Sequence, residues 1–154
     1  MLTEEEIKEI AAELKHCEFK GSASVEALKI VQNHRGWVSD ESIHDVAGLL
    51  GMMPAELDAV ATFYNFIFRR PVGRHIVHIC DSMVCWTMGY NPLNDLLARK
   101  LGIGPGGTTQ DNRFTLLPVS CLGACDRAPA MLVDEDLYGP VTPEMVDGIL
   151  DKYA

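Results

Sequence analysis

No stretch of the sequence approaches the roughly 18 apolar residues of a membrane-spanning helix, so direct membrane insertion is not expected. Positive charge is scarce. There are 13 Lys and Arg against 22 Asp and Glu, which leaves a net charge of −9. Phosphate binding needs clustered cations, and Arg69-Arg70 is a pair, not a run, so nucleic acid is excluded as a partner. An acidic surface suits solubility and steering toward basic protein partners. The first residues, Met1-Leu-Thr-Glu-Glu-Glu-Ile, lack the basic and apolar regions of a secretory signal, and a cytoplasmic protein is expected. There is no internal repeat and no low-complexity tract. Cys-x2-Cys is also missing, and with it the usual mark of thiol–disulfide enzymes and of tight zinc knuckles.

What the chain does have is enough apolar content to fold: 47% of 154 residues, sufficient for a core without staples. It also has five unevenly placed cysteines. Cys17 stands alone and reads as a helix-end or partly buried thiol. The other four form two pairs, Cys80-x4-Cys85 and Cys121-x3-Cys125. In a reducing compartment such pairs point to metal or redox chemistry more than to disulfides.

The pattern divides into two halves, a helical 1–70 and an α/β 71–154. Thr3 and Glu6 make a capping box, followed by Ile7, Ile10, Ala11 and Leu14 on one helix face. Ser24 is expected to cap a second helix that Gly36 stops. Ser39 or Asp40 opens a third ending at Gly51, and Pro54 fits the first turn of a fourth. Four short helices suggest a small bundle. The aromatic segment Phe63-Tyr64-Asn65-Phe66-Ile67-Phe68 reads as bundle core or a seam, with a docking patch as the other reading. Arg69-Arg70-Pro71-Val72-Gly73 interrupts the helical pattern. Beyond it, Arg74–Cys80, Phe114–Ser120 and Ala130–Asp134 read as strands, with a short fourth near Leu137-Tyr138. Helices are predicted from Asn91-Pro92 and Thr142-Pro143. Pro118 confines its strand to an edge or a chain end within the sheet. The order fits an α/β layer of thioredoxin-like type.

Both cysteine pairs follow strand ends, where two loops can close on one object. Four thiolates suit an iron–sulfur cluster or zinc. Spacings of four and three residues are wider than zinc knuckles favour and fit a larger two-iron rhomb. The small residues of Cys121-Leu-Gly-Ala-Cys125 let backbone N–H groups approach sulfur. A Rieske centre would need two histidines, and His78 reads as a strand-face residue. A structural zinc module and a thiol enzyme remain as alternatives. Gly102-Ile-Gly104-Pro-Gly106-Gly107 spells a dinucleotide fingerprint, but it follows a predicted helix and leads into a strand. That is the reverse of the context nucleotide binding requires, so it reads as a helix stop and turn.

Cys80-Asp-Ser-Met-Val-Cys85 and Cys121-Leu-Gly-Ala-Cys125-Asp-Arg-Ala-Pro129 resemble the thioredoxin-like [2Fe–2S] subunit family of NADH:quinone oxidoreductase, the small flavoprotein-arm subunit of respiratory complex I. Glu26-Ala-Leu-Lys-Ile-Val-Gln-Asn-His-Arg-Gly-Trp37-Val and Val60-Ala-Thr-Phe-Tyr64 extend the resemblance over both halves. It implies a helical N-terminal domain followed by a thioredoxin-like ferredoxin domain, with one [2Fe–2S] cluster on Cys80, Cys85, Cys121 and Cys125. It further implies a larger partner carrying FMN and the NADH site, further complex subunits, and a place peripheral to the inner membrane through that complex. The chain itself would carry electrons without a substrate site or catalytic residue. Related subunits serve diaphorase modules of NAD-linked hydrogenases and formate dehydrogenases. Four thiolates around an oxidised core leave about −2 and, after reduction, about −3, so a low potential is expected, partly offset by N–H groups and Arg127.

Overall fold

The computed structural model describes residues 1–153. The chain divides into two compact units, Met1–Pro71 and a second from Val72 onward. The first is all helix: α1 (Glu4–Leu14), α2 (Ser24–Arg35), α3 (Asp40–Leu50) and α4 (Pro54–Phe63). Thr3 and Glu6 form the capping box of α1, and the Ser39 side chain caps α3. Pro54 opens α4, where a missing N–H costs nothing. Gly36 and Gly51 end α2 and α3 in the left-handed conformation. Ser24 does not cap α2. It is the first residue of that helix, which continues directly from a 3-10 turn at Lys20–Ala23.

The core of this unit gathers Leu28 and Val31 of α2, Ile43, Val46 and Leu50 of α3, and Leu57 and Ala61 of α4, with Val38 and Ile67 from the loops. On α1 the expected apolar face is displaced. Ile7 and Ala11 are exposed, and the inward line is Glu6, Ile10 and Leu14. A carboxylate is tolerated there because Arg35 Nε and Nη2 donate to Glu6 Oε1 and Oε2 at 2.6 and 2.7 Å. Arg35 also donates to Ser42 Oγ at 3.1 Å, so one guanidinium ties three helices. The aromatic segment does not fill the core. Phe63, Tyr64 and Phe66 stand exposed, and only Ile67 is buried. No single helix among the described residues is long and apolar enough to cross a membrane.

The second unit is built on β1 (His75–Cys80), β2 (Phe114–Val119), β3 (Met131–Val133) and β4 (Asp136–Tyr138) in the order β2-β1-β3-β4. β1 and β2 are parallel, and β3 and β4 are antiparallel to their neighbours. The β1–β2 crossover carries α5 (Met83–Met88) and α6 (Tyr90–Leu101), and α7 (Met145–Leu150) follows the sheet. Gly102 ends α6 in the left-handed conformation, so the glycine motif begins as the helix stop expected of it. Its later glycines lie along β2: Gly106 N–H donates to Leu116 O at 2.6 Å, and Leu116 N–H to Gly107 O at 3.0 Å. Thr109 N–H reaches Phe114 O at 2.8 Å, and its Oγ1 accepts from Phe114 N–H. Pro118 stands on the edge strand, opposite Ile79.

Side chains alternate across β1. Val77 and Ile79 enter the main core with Leu93, Leu97, Leu116, Met131 and Val146. Cys80 falls in a separate small cluster with Cys85, Ala124, Ala128 and Ala130. The alternation turns Cys80 to the face opposite Val77 and Ile79, at the last position of β1.

Candidate metal centre

Cys80 is the last residue of β1, and its N–H donates to Ala130 O at 3.1 Å. Cys85 is not in a loop. It sits on α5, a six-residue helix begun by the Ser82 carbonyl, which accepts from Trp86 N–H at 2.8 Å. Cys80 and Cys85 are both 2% exposed. Their wall is made of Ala124, Ala128 and Ala130, with Leu122 against it. Small side chains here leave room beside sulfur, and the run from Gly123 to Ala130 was the only sequence signal of that wall.

Cys121 follows the end of β2, and Cys125 opens a 3-10 turn at Cys125–Arg127. Both are exposed. Gly123 lies between them at φ +78°, a conformation costly for other residues. The turn it makes points Gly123 N–H at Cys121 Sγ, 3.4 Å away. Cys121 Sγ and Cys125 Sγ are 3.5 Å apart. Arg127 is exposed and lies 4.0 Å from Asp126, so its charge is shared and screened.

The thiols are electrostatically unequal. The Gly123 N–H, and then the Cys125 hydrogen bond, hold Cys121 below the ordinary thiol range. The same bond holds Cys125 above it. Burial pushes Cys85 up, against a backbone hydrogen bond from Ala130. Cys80 also acts on two of the other thiols, pushing Cys85 up and Cys121 down. His78 is buried on β1, and burial lowers its pKa to about 4. Cys17 lies in the other unit, beyond α1 and half-buried against the helical core.

These donors fit an iron–sulfur cluster. Metal–thiolate bonds of about 2.3 Å at a tetrahedral centre hold two sulfurs about 3.7 Å apart, close to the Cys121–Cys125 separation. A two-iron cluster asks for two protein sulfurs at each metal, and Cys121 with Cys125 forms one such pair. One residue that sequence reasoning missed supports the site from outside. Gly139 packs on the Arg127 backbone, where an added Cβ would collide with the carbonyl and lie 2.9 Å from Arg127 Cβ.

A model of the thioredoxin-like [2Fe–2S] ferredoxin family matches residues 7–154. The chain is 49% identical over 152 residues to the NADH-quinone oxidoreductase E subunit of Escherichia coli (strain K12), covering 99% of this chain and 92% of that one. It is 50% identical over 154 residues to the protein of the same name from Pseudomonas aeruginosa, covering 100% and 93%. Among solved structures, a chain of an NAD+-reducing [NiFe]-hydrogenase in the H2-reduced state aligns with a TM-score of 0.70 and 26% identity. That alignment covers 85% of this chain and 22% of the hydrogenase chain.

Proposed function

The chain belongs to the thioredoxin-like [2Fe–2S] ferredoxin family, and on that premise we propose that it is the electron-transfer subunit of an NADH-quinone oxidoreductase, as its relatives near half identity are named. Cys80, Cys85, Cys121 and Cys125 are the residues that hold one [2Fe–2S] cluster. When bound, that cluster supplies one-electron transfer, with no bond made to a substrate. The chain's own groups do the rest. The buried Cys80 and Cys85 anchor the site on rigid elements, and the alanine wall keeps water from that side. Gly123 N–H offsets part of the thiolate charge at Cys121. Hydride chemistry needs a flavin. It belongs to a larger partner that carries FMN and the NADH site, and through the wider complex this chain lies at the cytoplasmic side of the inner membrane.

The observation that carries the reading is the Cys121–Cys125 pair, 3.5 Å apart and suited to one tetrahedral metal, with Cys80 and Cys85 buried in the same small cluster as Ala124 of that loop. A second reading, the equivalent diaphorase subunit of an NAD-linked hydrogenase, is favoured by the likeness to the hydrogenase chain. Affinity purification of the native complex separates the two by whether a hydrogenase subunit comes with it. EPR of the dithionite-reduced protein tests the cluster itself. A rhombic signal of one unpaired electron per chain is expected, and it should vanish in Cys121→Ser and in Cys85→Ser. A colourless, EPR-silent, zinc-loaded protein would overturn the assignment.

A further inference from the structure

The four thiols differ in access. Cys80 and Cys85 are 2% exposed and are held by a strand end and a helix. Cys121 and Cys125 are open to solvent on a loop tied down between them, where Ala124 is buried and its carbonyl accepts from Arg127 N–H at 3.0 Å. Their sulfurs already stand 3.5 Å apart, so no rearrangement of this loop is needed before both can bind one metal. The alanines behind the buried pair leave no comparable approach from that side.

We propose that Cys121 and Cys125 are the capture pair of cluster insertion. These exposed thiols take the near iron of an incoming thiolate-ligated [2Fe–2S] complex, and Cys80 and Cys85 then complete the exchange from within. The proposal rests on the cluster reading above and adds an order to it. Each exchange replaces one iron–sulfur bond by another. The protein thiol gives up its proton, the departing donor thiolate takes one, and no electron is transferred. The donor is a [2Fe–2S] complex of small-molecule thiolates, for which the glutathione complex serves as probe.

Stopped-flow circular dichroism of the reduced, cluster-free full chain mixed with the glutathione complex tests the order. Cys121→Ala and Cys125→Ala should slow the concentration-dependent phase by at least about tenfold. Cys80→Ala and Cys85→Ala should keep that phase, lose the slower concentration-independent one, and leave bound iron open to a chelator. Alkylation of the wild-type chain gives a measurement that needs no variant. Iodoacetamide should modify Cys121 and Cys125 well before Cys80 and Cys85, and chains modified only at the exposed pair should fail to acquire a cluster. Equal slowing of the first phase in all four variants, or early alkylation of Cys80 and Cys85, would overturn the order while leaving the cluster reading intact. A wild-type chain that takes up no cluster from the complex but retains zinc would overturn the cluster reading itself.

Discussion

Glu6 holds a carboxylate where its neighbours on the inward line, Ile10 and Leu14, are apolar, and its side chain has no solvent exposure. The Arg35 guanidinium, with help from Thr3 N–H, lowers its pKa from 4.5 to about 2. The sign follows from linkage. A folded pKa below the unfolded one gives stability that is complete above about pH 4.5 and is lost as the pH falls toward 2. The size is roughly 3 kcal/mol. Glu6→Gln leaves the half-buried Arg35 without its anion and should cost a similar roughly 2–3 kcal/mol at neutral pH. Urea unfolding of the cluster-free chain, followed by far-UV circular dichroism between pH 2 and 7, reads both effects. The variant should lose most of the wild-type dependence below about pH 4.5, and an unchanged slope would sink the argument. Half of this arrangement was legible: Thr3-x-x-Glu6 announces a capping box. The other half was not, because Arg35 lies 29 residues away and no local pattern links it to Glu6.

Two glycines that look alike in sequence differ once their elements are placed. Gly148 lies in α7 with nothing within 4 Å of an added Cβ, whereas Gly139 abuts the Arg127 backbone beside the Cys125 turn. Gly148→Ala should be neutral or stabilise by about 0.5–1 kcal/mol through helix propensity. Gly139→Ala should destabilise by about 1–3 kcal/mol and quicken cluster loss to a chelator. Thermal melts and bleaching rates of the two variants are the check, and equal bleaching would remove Gly139 from the support of the site. The strands, the helix stops and Pro118 on its edge followed from local patterning. The short helix α5 did not. Its six residues are too few to show a period, so Cys80-x4-Cys85 reads as a loop although Cys85 rides on a helix. The aromatic run at 63–68 misleads for a different reason, since hydrophobicity sets a tendency to bury but does not choose which residues a bundle encloses.

Each of the two units carries its own hydrophobic core, and all four paired cysteines belong to the second. A ligand held only by the folded form raises that form's stability. Stripping the cluster should therefore lower the melting midpoint of the second unit by at least about 5 °C and leave the helical unit nearly unchanged. The two tryptophans report separately, Trp37 in the first unit and Trp86 beside Cys85 in the second. Fluorescence melts of Trp37→Phe and Trp86→Phe chains, with and without cluster, make the comparison, and equal shifts at both reporters would contradict it. The glycine-rich turn after α6 has a consequence at this scale too. Along β2 the groups facing away from β1 belong to Phe114, Leu116 and Pro118. Those of Phe114 and Leu116 are already bonded to Gly106, Gly107 and Thr109, and Pro118 has no N–H to offer. At the opposite edge β4 is only three residues long. A foreign strand is offered at most a three-residue ladder at β4 and a single carbonyl on β2. Both edges of the sheet are therefore poor templates for strand-by-strand aggregation.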